Sequence, residues 1–134
     1  MTLIDTNVLL DVVTDDPNWS DWSIEQLEAA ALRGPLLIND VVYAELAVRY
    51  ERIERLEAFL SEAGIEIAAM PRAGLFLVGK VFQKYRKAGG SRAGVLPDFF
   101  IGAHAAVDRL ELLTRDKARY RTYFPTVVLI TPDR

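Results

Sequence analysis

Short apolar runs alternate with longer helical patterns along the whole chain, and that alternation leaves few folds open. Residues 2–5, 36–39, 65–68, 111–114 and 127–131 each read as a strand. Four to six apolar-rich residues between turn signals is the pattern of a strand covered on both faces. The segments between them carry helical patterning. Residues 7–13 end at Asp15-Asp16-Pro17. A helix capped by Asn18 runs through Leu32 and stops at Gly34-Pro35. Residues 40–50, 53–63 and 72–87 follow, the second closed by Gly64 and the third by Gly89-Gly90. Pro97 suits the first turn of a helix reaching about Arg109, and residues 117–123 form a last helix before Pro125. Strand and helix in alternation imply right-handed crossovers. The predicted class is α/β, a parallel sheet flanked by helices on both faces.

Residues 1–134 are expected to form one domain, long enough to bury a real core. Hydrophobic residues make up 51% of the chain and charged ones 26%, which argues against disorder. There is no cysteine and one histidine. Thiolate zinc sites, cysteine nucleophiles and multi-histidine metal sites are therefore excluded. No basic segment leads into a long apolar stretch, and no run approaches the ~20 apolar residues of a membrane helix. The expected location is the cytoplasm, with no membrane partner. A net charge of −3 gives no global electrostatic case for binding nucleic acid.

Four acids stand at the edges of the apolar runs. Asp5 ends Thr2-Leu3-Ile4, Glu45 lies inside Val41-Val42-Tyr43-Ala44-Glu45-Leu46, Asp98 opens Phe99-Phe100-Ile101, and Asp116 follows Leu112-Leu113-Thr114. Carboxylates are rarely buried without a partner. The basic residues beside them in sequence are Arg115 and Lys117, which flank Asp116. In an open parallel sheet, ligands bind beyond the carboxyl ends of the strands. Asp5 and Asp116 lie at or just past such ends. Asp98 lies in a helical first turn, and Glu45 about one and a half turns into the helix after the second strand. All four can face one end of the sheet. Crowded together they would repel and raise one another's pKa values. Hard cations with oxygen ligands relieve that repulsion, and Mg²⁺ or Mn²⁺ fits an all-carboxylate set. Such a site suits phosphodiester hydrolysis without a nucleophilic side chain. Taken singly, each acid has a plainer reading: Asp98 and Asp116 as helix caps, Glu45 as a solvent-facing helix residue.

The motifs carry a resemblance. Asp5-Thr6-Asn7 after the first strand, Ala44-Glu45-Leu46, Asp98-Phe99-Phe100-Ile101-Gly102-Ala103-His104-Ala105, and Leu112-Leu113-Thr114-Arg115-Asp116 with Tyr120 a turn later resemble, in order, the four motifs of PIN-domain nucleases. The small size is similar to VapC-type toxins of toxin–antitoxin modules. The resemblance implies a five-stranded parallel sheet and a metal-dependent endoribonuclease acting on RNA. It also implies a homodimer and a cognate VapB-like antitoxin that blocks the site, with operator DNA reached only through that antitoxin. By the same resemblance Asp5 and Asp98 are metal ligands, and Glu45 and Asp116 complete the catalytic pocket. Thr114 matches a hydroxyl that orients Asp116 or a water on the metal. Asn39 caps the Glu45 helix.

Other residues weigh less. His104 lies six positions from Asp98, about 240° around a helix, and reads as a packed structural histidine. Trp19 and Trp22 share a helix face and read as core or subunit contacts. Arg49, Arg52 and Arg55 alternate with glutamates as a solvated surface. Arg92, in the glycine-rich stretch before Asp98, and Arg115 are the candidates for substrate phosphate contact, against a plain surface role. Two other functions compete. An aspartyl-phosphate phosphatase would use Asp5 as nucleophile, but Asn7 stands where a second aspartate is wanted, and a receiver-type domain lacks its paired acids. A non-catalytic interaction module would bind a partner's basic segment in the acidic pocket.

Overall fold

The computed structural model describes residues 1–132; residues 133–134, the end of the domain expected over 1–134, lie outside the described residues. Five strands form one sheet: β1 (Thr2–Ile4), β2 (Leu36–Ile38), β3 (Ile65–Ile67), β4 (Glu111–Leu113) and β5 (Leu129–Ile130). Their order is β3-β2-β1-β4-β5, and every pairing is parallel. The chain steps from β1 outward to β2 and β3, then jumps back across the sheet to β4 and β5. Right-handed crossovers place the helices of these two excursions on opposite faces. The reversal lies between β1 and β4, where the loops leaving the two strand ends diverge. That is the position at which an open parallel sheet forms a crevice.

Among the described residues seven α-helices connect the strands: α1 (Thr6–Val13), α2 (Ser20–Arg33), α3 (Asp40–Ala47), α4 (Ile53–Ala63), α5 (Arg72–Lys87), α6 (Leu96–Asp108) and α7 (Lys117–Arg121). A short 3₁₀ turn, Ala93–Val95, leads into α6. Asn39 caps α3 through its side-chain oxygen, which accepts from the N–H groups of Val41 and Val42 at 3.1 Å each. Asn18 does not cap α2. Asp16 does the local work instead, its Oδ1 accepting from the N–H groups of Asn18 and Trp19, and the helix begins at Ser20. An ionised acceptor makes the stronger bond, so the aspartate prevails in Asp16-Pro17-Asn18. Helix α3 stops at Ala47 rather than residue 50, because Arg49 and Tyr50 donate back to Leu46 and Ala47 and tighten the last turn.

Leu3, Ile4, Ile38, Leu112 and Leu113 from the inner strands are fully buried, with Val8, Leu9, Leu46 and Ile101 from the helices packed on them. The edge strands depart from the two-sided burial that their sequences suggest. In β3 Ile65 is buried but Glu66 and Ile67 are exposed, and both residues of β5 are half-buried. An aromatic group of Phe82, Tyr85, Phe99, Tyr123 and Phe124 ties α5, α6 and the segment after α7 together. Gly102 is required there: a Cβ on it would lie 2.4 Å from the Phe124 ring.

Candidate active site

Asp5 follows β1 directly, and its N–H bonds to the Leu113 carbonyl at 2.9 Å, so the ladder fixes its backbone. The residue is 2% exposed. Oδ2 accepts from the Thr114 hydroxyl at 2.7 Å and from the Tyr120 hydroxyl at 2.8 Å. Burial pushes the Asp5 pKa up; the bonds from Thr114 and Tyr120, the Thr6 N–H and the charge of Arg119 oppose it without cancelling it. The Tyr120 hydroxyl is itself buried beside Asp5, which drives its pKa well above the usual value and keeps it a donor.

Thr114 is the hub of this end of the sheet. Its hydroxyl donates to Asp5, accepts the backbone N–H of Asp116 at 3.0 Å, and lies 3.5 Å from the Asn7 amide nitrogen. Asn7 also accepts the Arg115 N–H at 3.3 Å. Across the mouth, Glu45 receives the Thr6 hydroxyl at 2.6 Å. Asp116 caps α7, its Oδ1 accepting from the Arg119 N–H at 3.4 Å.

Asp98 lies in the first turn of α6, and its pKa is raised to about 6. Burial contributes most, Arg119 pulls the other way, and the charges of Asp5, Glu45 and Asp116 add to the rise. The charges of the other three acids singled out by sequence therefore all reach Asp98. Sequence inspection missed the cation among them. Arg119 places Nε 2.6 Å from Asp116 Oδ2 and Nη1 3.5 Å from Asp98 Oδ2. Its signal was available: three positions after Asp116 on a helix is one turn away.

The two arginines proposed for phosphate contact are placed differently. Arg115 donates twice to the buried Asp11, from Nε to Oδ2 at 2.7 Å and from Nη2 to Oδ1 at 3.0 Å, and lies 4.9 Å from the Trp19 ring centroid. Ser23 donates to the same Asp11 at 2.7 Å. This clasp ties the loop after β4 to α1 and α2. Arg92 is exposed in the loop before Asp98, and its backbone N–H donates to the Tyr85 hydroxyl at 3.1 Å. His104 is fully buried and away from the pocket. Its Nδ1 faces the Asn39 amide at 3.3 Å, and its Nε2 lies 3.2 Å from Asp108 without hydrogen-bond alignment. Burial lowers its pKa despite Asp108. Trp19 precedes α2 and meets Trp22 edge to face at 6.0 Å.

The donor set fits a hard divalent cation in kind: four carboxylates and the hydroxyls of Thr6, Thr114 and Tyr120 that hold them, all oxygen. Among the described residues no three His, Cys, Asp or Glu side chains are grouped so that they could hold a metal ion as they stand. Asp5 is held by Thr114 and Tyr120, Glu45 by Thr6, and Asp116 by Arg119. A cation already bridges two of the carboxylates, in the form of the Arg119 guanidinium.

A five-stranded parallel sheet in the order β3-β2-β1-β4-β5, flanked by helices, defines an α/β protein. The PIN-domain family model matches residues 2–125, and the chain belongs to that family. No curated protein matches it by sequence. Among solved structures it is similar to VapBC2 from Rickettsia felis bound to a promoter DNA fragment, with TM-score 0.73, 22% identity and 97% of each chain covered. It is similar also to a toxin–antitoxin complex from Klebsiella pneumoniae, with TM-score 0.67, 26% identity and 96% of each chain covered. A third is FitAcB from Neisseria gonorrhoeae, with TM-score 0.68, 18% identity, and 97% of this chain and 96% of that one covered.

Proposed function

We propose that this chain is a divalent-metal-dependent endoribonuclease, the toxin of a toxin–antitoxin module. The observation that carries the reading is that Asp5, Glu45, Asp98 and Asp116 lie toward one end of the sheet, with Arg119 joining Asp116 to Asp98, and that the charges of the other three acids add to the burial that raises the Asp98 pKa. Mg²⁺, with Mn²⁺ as the alternative, is the cofactor this donor set suits. When bound there, the cation polarises a phosphoryl oxygen and acidifies water. The protein's own part is positional. Thr114 and Tyr120 hold Oδ2 of Asp5. Thr6 fixes Glu45, and Asn39 anchors the start of the helix that carries it. Asp5 and Asp98 serve as the metal ligands; Glu45 and Asp116 complete the catalytic set. Arg92 is the more available of the two arginines for substrate RNA, since the side chain of Arg115 is engaged by Asp11.

The likeness to toxin–antitoxin complexes supports a VapB-like antitoxin as partner; a homodimeric toxin and contact with operator DNA only through the antitoxin are carried by the motif resemblance. The pocket's charge suits an antitoxin arginine or lysine, which would inhibit by pairing with the carboxylates. A phosphatase using Asp5 as nucleophile is disfavoured, because that residue is 2% exposed and one of its carboxylate oxygens is held by two hydroxyl donors. Purified, antitoxin-free protein should cleave total cellular RNA with Mg²⁺ or Mn²⁺ and stop on chelation. An inert protein that still binds its partner through the pocket would favour the interaction-module reading instead.

A further inference from the structure

The geometry points to Arg119 as a built-in counter-ion of the pocket, which releases the Asp98–Asp116 pair when a divalent cation enters and then turns to a phosphate of the RNA. This rests on the proposed nuclease reading. Asp116 divides its carboxylate: one oxygen receives the Arg119 backbone N–H as a cap, and the other receives the guanidinium. The cap survives when the side chain leaves, so α7 need not unwind. The guanidinium reaches from Asp116 to Asp98, and its charge also bears on Asp5. It lowers the repulsion that the four acids would otherwise store.

Its exposure allows release. The Arg119 side chain is 53% exposed, and ion pairs at such positions are weak and screened. A divalent cation carries twice the charge and prefers carboxylate oxygen. Once displaced, the long side chain remains at the rim of the pocket. A guanidinium is shaped for two-point contact with phosphate as well as with carboxylate. A mere surface salt bridge would leave metal affinity indifferent to Arg119.

The test compares wild type with Arg119→Met, which keeps the stem and removes the charge, and Arg119→Lys, which keeps the charge and loses the planar two-point bridge. Circular dichroism checks folding. Mn²⁺ is titrated without RNA and followed by electron paramagnetic resonance. Arg119→Met should bind about three- to tenfold more tightly than wild type, with Arg119→Lys between them. In wild type, the Arg119 Nε–H resonance should move toward that of a solvated arginine as Mg²⁺ is added. Binding of a cleavage-resistant RNA oligomer in Ca²⁺ should weaken about three- to tenfold in Arg119→Met. Equal Mn²⁺ affinities in the three proteins, or an unmoved Nε–H resonance, overturn the counter-ion role while leaving the metal site standing. Unchanged RNA affinity overturns the turn toward phosphate. Failure of all three proteins to bind Mn²⁺ overturns the nuclease reading and this inference together.

Discussion

Asp98→Asn should stabilise the metal-free protein at neutral and alkaline pH. Burial and the charges of Asp5, Glu45 and Asp116 lift the Asp98 pKa from 3.8 to about 6, net of the opposing pull of Arg119. The side chain is 19% exposed, so little of that penalty is screened by water. The gap corresponds to about 3 kcal/mol, at about 1.4 kcal/mol per pH unit. The amide does not reproduce the shape and bonding of a protonated carboxyl, so the expected gain is about 1–3 kcal/mol. The sign comes from counting protons. Between about pH 4 and pH 6 the native state holds a proton that the unfolded chain has released, so stability falls as pH rises through that window. Above it the penalty is complete, and below it the penalty is absent. The advantage of asparagine should therefore be greatest above about pH 7 and vanish near pH 4. Urea denaturation in chelator, followed by circular dichroism across that range, measures it. A variant less stable than wild type at about pH 8, or an advantage that does not change with pH, would refute the reasoning.

Adding Mg²⁺ should raise the melting temperature of wild type more than that of Asp98→Asn, because binding to the native state adds to its stability; equal shifts would contradict a shared site. Thr114→Val removes the hydroxyl between Asp5 and the Asp116 N–H, and should cost about 1–3 kcal/mol in urea denaturation. Asp11→Ala should cost about 2–4 kcal/mol, since it strands Arg115 and Ser23; a loss under about 0.5 kcal/mol would deny the clasp a structural role. Co-expression with the antitoxin should give an inactive complex that high salt weakens only in part, because apolar burial is not screened. A partner that binds far from the four acids and leaves cleavage intact would contradict inhibition at the pocket.

The central strands and the acids at their ends were legible because one signal marks both. Where an apolar run stops in a parallel sheet, the strand's carboxyl end begins, and Asp5 and Thr114 stand there. His104 was legible from helical angle alone. β3 and β5 were legible as strands but not as edges: Ile65-Glu66-Ile67 and Leu129-Ile130 resemble inner strands, and strand order is set by crossovers that local composition does not encode. The Asp11–Arg115 pair spans 104 positions, beyond any local pattern. Arg119 was missed for a different reason. Adjacency in sequence drew attention to Arg115 and Lys117, whereas the turn of α7 folds the third residue back over the cap.

If Asp5, Glu45, Asp98 and Asp116 together cleave RNA with a divalent cation, Asp5→Asn should remove that activity. That variant keeps the shape of the side chain between Thr114 and Tyr120 while removing its charge. Single-turnover cleavage of an RNA substrate by antitoxin-free protein, with Mg²⁺ titrated and folding checked by circular dichroism, is the measurement. The variant should fold, and its cleavage should be abolished at every Mg²⁺ concentration. Cleavage by Asp5→Asn at the wild-type rate would contradict that role of the four acids.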